Sequence, residues 1–275
     1  MSTVKSTQQT LFATSTDGTQ IAYEVSGAGP ALVVVDGATA YRDNFGFSRR
    51  IAEVVGDRFT VYGYDRRGRG ESDWGATPCT LQREIEDLEA VIAAAGGTAH
   101  VFGLSSGAAL ALEAARAGAP IERLVSFEAP YVVDDTKEPT APDFPEQAQA
   151  MIDAGRPGDA VKAFMKLVGV PAPMVAVMRL MPVWKTLKVV GRTLPNDLSI
   201  VTKFQQGQPV PEGYYSTITA PTLVVAGGKS PDWMRNAQDA IHAAVPGSTL
   251  VTLPGQTHML KAAAVKDALI EHCLG

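Results

Sequence analysis

Short apolar, β-branched runs recur along the chain, and after the first few they alternate with stretches whose apolar residues fall at helical spacing. Residues 10–15 and 20–25, joined by Asp17-Gly18, carry the pattern of a β-hairpin. Ala31–Val35 and Arg58–Tyr64 predict buried strands, and Thr80–Ala95 predicts a helix that stops at Gly96-Gly97. His100–Gly103 predicts the next strand and runs through Ser105-Ser106-Gly107 into an Ala/Leu-rich helix that ends near Ala117-Gly118. Ile121–Phe127, Thr222–Ala226 and Thr249–Leu253 are further strands, with helices around Trp233–Ala244 and from Leu260 to Cys273. Fully apolar strands alternating with helices predict an α/β fold, a mostly parallel sheet covered on both faces.

The alternation stops between Tyr131 and Tyr215, where the chain is proline-rich at first and then helical without strands. We read residues 131–215 as a helical cap inserted after the sixth strand, and residues 1–130 and 216–275 as the core.

Composition narrows the function classes. The chain has 275 residues, of which 45% are hydrophobic and 19% charged, ordinary for a globular protein of one α/β domain plus an insertion. Its formal charge of −5 leaves no broad basic face, and the one tight cluster, Arg66, Arg67 and Arg69, is interleaved with Asp65, Glu71 and Asp73; no nucleic-acid partner is expected. The first ten residues are polar and lack a signal-peptide core, and no run of roughly 18 apolar residues occurs, so neither secretion nor a membrane span is expected. The two cysteines, Cys79 and Cys273, suggest neither a disulfide framework nor a zinc site. A cytoplasmic protein, monomeric or homodimeric, is the expectation.

The sharpest chemical signal is Gly103-Leu104-Ser105-Ser106-Gly107, a G-x-S-x-G between a strand and a helix. A tight strand-to-helix turn lifts the serine hydroxyl to the carboxyl edge of the sheet, and flanking glycines allow close backbone approach. The helix start behind it offers N–H groups to a developing oxyanion. Ser106 competes for the role as a helix cap, but the glycine spacing favours Ser105. Among the four histidines, His258 follows the last strand in a loop that parallel strands bring to the same edge, so it is the candidate general base. His100, His242 and His272 read as structural or surface residues.

Taken together, Asp36–Thr39 (DGAT), Tyr64–Ser72 (YDRRGRGES), the elbow at Ser105, Thr222–Gly227 (TLVVAG) and Gly255–His258 (GQTH) resemble the α/β-hydrolase superfamily in order and approximate spacing. The resemblance implies a helical cap with a site beneath it, and a catalytic histidine at His258. Many relatives place the third member, an acid, three residues beyond the glycine that ends the seventh strand, which here is Ser230. Asp232 lies two residues on, where it also fits a helix start, and some relatives keep the acid after the sixth strand, which points to Glu128. We favour Glu128 over Asp232.

The fold's oxyanion hole implies backbone donors at Ser106 and Ala38. Many relatives have His-Gly before the second donor, whereas this chain has Asp36-Gly37, a carboxylate that would oppose an oxyanion if ionised and turned inward; Asp36 and Gly37 also count as candidate substrate-binding residues. Met174, Met178 and Met181 share one helical face, followed by Trp184; they pack the cap on the core or form an adaptable apolar wall over a substrate. The expected activity is hydrolysis of a carboxylic ester or lactone of a medium-sized, mostly apolar small molecule through an acyl-enzyme, with no metal or organic cofactor. Carbon–carbon bond hydrolysis, cofactor-free perhydrolysis, and a non-catalytic binding module are the alternatives.

Overall fold

The computed structural model describes residues 9–75 and 79–275, so the signal-peptide reading of residues 1–8 lies outside the described residues. Eight strands are β1 (Leu11–Thr14), β2 (Gln20–Gly27), β3 (Ala31–Val35), β4 (Thr60–Tyr64), β5 (Ala99–Leu104), β6 (Ile121–Phe127), β7 (Thr222–Gly227) and β8 (Thr249–Leu253). They form one sheet in the order β1-β2-β4-β3-β5-β6-β7-β8. The β1–β2 and β2–β4 pairs are antiparallel, and β3–β4, β3–β5 and every later pair are parallel.

Side-chain alternation along each strand divides the core into two layers. Val33, Val35, Val101, Leu124 and Val224 face one layer, covered by α2 (Leu81–Ala94), α3 (Ser106–Arg116) and α9 (Asp232–Ala244). Leu32, Val34, Phe102, Val125 and Val225 face the other, covered by α1 (Ser48–Val55) and α10 (Ala262–Leu274). The chain reverses direction of travel at β3, which pairs with β4 on one side and β5 on the other, and the crevice outside such a switch point is where this architecture builds its sites.

Most predicted elements recur with shifted ends. The predicted strand from Arg58 starts at Thr60, because the N–H groups of Arg58 and Phe59 are both taken by the Val55 carbonyl at the end of α1. α1 itself was not predicted; its buried Ser48, Ile51 and Val55 fall at helical spacing over only eight residues, too short to stand out. The start of α2 is capped by Thr80, whose hydroxyl accepts the Arg83 N–H at 3.3 Å.

Between β6 and β7 run α4 (Phe144–Asp153), α5 (Pro157–Leu167), α6 (Ala172–Met178), α7 (Val183–Val190) and α8 (Leu194–Val201). These helices share an apolar cluster that includes Val161, Trp184, Leu187, Leu194 and Leu198. At the two ends of this excursion Tyr131 and Tyr215, both buried, bring their hydroxyls to 2.6 Å. Among the described residues no helix is long and apolar enough to cross a membrane.

Candidate active site

Ser105 occupies the turn from β5 into α3 with φ 55° and ψ −124°, a conformation that crowds any β-carbon. The surroundings hold it there: its N–H donates to the Phe127 carbonyl at 2.9 Å, and its carbonyl accepts the N–H groups of Ala108 and Ala109. The flanking glycines are demanded by close approach. A β-carbon on Gly103 would lie 2.6 Å from the Gly107 carbonyl oxygen, and one on Gly107 would lie 2.2 Å from that of Val35.

His258, in the loop after β8, puts Nε2 3.2 Å from the Ser105 hydroxyl and Nδ1 2.9 Å from a carboxylate oxygen of Glu128. The Glu128 side chain is wholly buried just past β6, and its other oxygen accepts the Gly227 N–H at 2.7 Å. With the carboxylate on Nδ1, the imidazole proton belongs there, and Nε2 is free to accept the serine proton. Ser105 and Glu128 (φ 48°) are two of the four non-glycine residues with positive φ among the described residues, and both stand in this chain of hydrogen bonds.

Asp232 is corrected by the geometry. It lies exposed in the first turn of α9 and pairs with Arg235, while the carboxylate beside His258 is Glu128. Asp36 is corrected as a substrate-binding residue as well. Its buried carboxylate turns to the Phe47 N–H at 2.9 Å, and it does not border the cavity that holds Ser105. Burial pushes the Asp36 carboxyl up to about 7, against the opposing pull of that hydrogen bond and of Arg69.

Gly37 and Ala38 do lie against the serine: a β-carbon on Gly37 would be 3.0 Å from that of Ser105, and Ala38 borders the cavity. The Arg69 guanidinium donates to the carbonyls of Gly37 at 2.8 Å and Ala40 at 3.1 Å. In a planar trans peptide the C=O and N–H point opposite ways, so fixing the Gly37 carbonyl on Arg69 turns the Ala38 N–H to the other side. The Ser106 N–H, first in α3, has no acceptor within its own helix.

A buried ionic network lies beside these donors and was not anticipated. Asp197, on α8, receives hydrogen bonds from Arg66 at 2.6 Å, Arg69 at 2.5 Å and the Ser106 hydroxyl at 2.8 Å. Arg66 also makes a two-pronged pair with Glu84 at 2.6 and 2.7 Å. Burial pushes the Asp197 carboxyl up, but Arg69, Arg66 and Ser106 outweigh it and hold the group below the usual carboxylate range. The signal existed in the sequence: Asp197 interrupts the apolar helical row of Leu194, Leu198 and Val201.

The cavity holding Ser105 and His258 has a volume of about 220 Å³. Its walls come from α5 (Phe164, Leu167), α8 (Leu198, Val201) and the start of α9 (Trp233, Met234), with Lys137 and Asp197 as the charged groups among them. None of Met174, Met178, Met181 or Trp184 borders it, which corrects the methionine-wall reading. Met174 and Met181 are exposed, Met178 packs partly into the insertion's own cluster, and Trp184 is buried within that cluster. Among the described residues no three His, Cys, Asp or Glu side chains gather to hold a metal ion.

Comparison with known proteins supports the fold. The crystal structure of an alpha/beta hydrolase from Sphaerobacter thermophilus DSM 20745 superposes with a TM-score of 0.84 at 43% identity, covering 96% of this chain and 99% of that one. An enol-lactonase from Burkholderia xenovorans LB400 shares the fold at a TM-score of 0.70 and 17% identity, covering 96% of this chain and 100% of its own. N-formylmaleamate deformylase of Pseudomonas putida KT2440 is 34% identical over 152 residues, 50% of this chain and 52% of that protein's length. The sequence model of the alpha/beta hydrolase family matches residues 25–267, and the chain belongs to that family.

Proposed function

We propose that this protein is a serine hydrolase that cleaves a carboxylic ester or lactone of a medium-sized, largely apolar small molecule. The observation that carries this reading is the unbroken hydrogen-bond chain from Ser105 through His258 to Glu128, opening on an apolar-walled cavity. In the proposed reaction His258 Nε2 takes the serine proton as Oγ attacks the acyl carbon. The charge that collects on the carbonyl oxygen is met by the N–H groups of Ala38 and Ser106. His258 then gives its proton to the leaving alcohol oxygen, water enters along the same path, and the acid departs. Glu128 holds the imidazole in the productive tautomer and offsets its positive charge.

Arg69 and Asp197 have a positioning part in this scheme. Arg69 fixes the peptide that carries the Ala38 donor, and Asp197 ties Arg69 and the Ser106 hydroxyl to the helix above. The name of the partly matching relative, N-formylmaleamate deformylase, is in keeping with removal of an acyl group.

A fluorophosphonate probe tests the reading. Wild-type protein becomes labelled at Ser105, and Ser105→Ala abolishes both labelling and hydrolysis of 4-nitrophenyl esters. A wild type inert to both reagents would overturn the proposal and favour a non-catalytic binding module.

A further inference from the structure

Lys137 is the cation on the wall of the cavity that holds Ser105 and His258. It stands in the segment between β6 and α4, half-buried, with its ammonium 3.9 Å from the centre of the Trp233 ring, which also lines the cavity. Among the described residues no carboxylate forms an ion pair with it. Its neighbour Asp134 turns its carboxylate to Thr136 and to the Asn236 amide at 2.6 Å and makes no ion pair with Lys137, and Asp135 and Glu138 face solvent. The carboxylate that does border the cavity, Asp197, is already met by two guanidinium groups and a hydroxyl, so it does not neutralise Lys137 from across the space.

A cation that has lost part of its water and gained no counter-charge is costly unless something arrives to pair with it. Burial accordingly holds the Lys137 ammonium below the ordinary lysine range, with no carboxylate raising it back. The aromatic face of Trp233 keeps the side chain in place, yet leaves its N–H donors free for an anion.

We infer that Lys137 is a specificity-determining residue that seats an anionic group of the ligand, so that the molecule in this cavity is a monocarboxylate or similar anion with an otherwise apolar body. The inference rests on the proposed reading of the cavity as a substrate site, and it narrows the substrate class from largely apolar acyl compounds to those that also carry an anionic group.

The test needs no turnover. Titrating Ser105→Ala protein calorimetrically with hexanoate and with hexanamide, equal in length and different in charge, reads the contribution of the anion. Hexanoate is expected to bind about 10- to 100-fold more tightly, the scale of a charge-assisted hydrogen bond. That ratio falls toward one when Lys137→Met is added, and persists when Lys137→Arg is added instead. Equal binding of the two ligands, or a preference that Lys137→Met leaves intact, overturns the inference. If the wild type hydrolyses no ester while hexanoate binding still depends on Lys137, the hydrolase reading fails and the anion seat stands. Hydrolysis without charge preference has the opposite meaning.

Discussion

Replacing Asp36 by asparagine isolates the cost of burying a carboxyl at the carboxyl end of β3. Burial lifts this group from 3.8 to about 7 in the folded protein. Between those values the native chain retains a proton that the unfolded chain has released, so stability declines as pH rises through the window and levels off above about 7. Each unit corresponds to about 1.4 kcal/mol, and the two units from about pH 5 to about pH 7 therefore remove about 3 kcal/mol. The carboxamide of the Asp36→Asn variant does not titrate, and its oxygen can still accept the Phe47 N–H. Any fixed penalty from its extra N–H donors is the same at both pH values and drops out of the comparison. Urea unfolding of both proteins at about pH 5 and about pH 8.5 gives the readout, the difference in stability between variant and wild type. The variant is expected to gain about 3 kcal/mol on the wild type between the two conditions. Parallel stability profiles would refute the reasoning, because they would mean that Asp36 is ionised in the native state across the whole range.

Three further outcomes follow from the site. Glu128→Gln keeps the fold but lowers kcat on an activated ester by about 10³- to 10⁴-fold, whereas Asp232→Asn keeps wild-type kcat; full activity in the first would remove Glu128 from the scheme. Asp197→Ala strands the buried Arg69 guanidinium, leaves Arg66 with Glu84 alone, and costs about 3–5 kcal/mol in urea unfolding at neutral pH. Because the Asp197 carboxyl is held low, that advantage is complete above its unfolded value and fades as pH falls through the lower folded one, so a difference constant down to about pH 2 would contradict the assignment. Arg69→Met frees the Gly37–Ala38 peptide and lowers kcat by about 10²-fold with little change in KM for a neutral ester; a change confined to KM would count against a positioning role.

Much of this was legible from the chain. The strands were visible because each is a compact apolar run, and the elbow was visible through its glycines, which the packing requires, since a β-carbon on Gly107 would fall 2.2 Å from the Val35 carbonyl oxygen. The proposed partner of His258 was half legible: Glu128 sits after β6 where few bland reasons place a carboxylate, yet only the fold shows one oxygen on the Gly227 N–H and the other on His258. What stayed hidden depends on distant segments meeting. Arg66 and Arg69 looked like an interrupted surface cluster, but α8 carries Asp197 more than a hundred positions downstream to pair with both. The cavity wall was misassigned for a related reason. Methionines at helical spacing mark an apolar face without saying which neighbour it meets, and in α6 and α7 that neighbour is the rest of the insertion or solvent.

The contact between Tyr131 and Tyr215 has an evolutionary corollary. Departure and return of an 84-position detour are fastened at one seam, and within it α8 is pinned a second time through Asp197 to Arg66, Arg69 and Ser106. Lengthening such a tethered stretch is thermodynamically mild, roughly 0.6 kcal/mol per doubling. Outside that pinned helix the detour can therefore grow or shrink at little cost to the sheet, while the stretch carrying Asp197 has to keep its place.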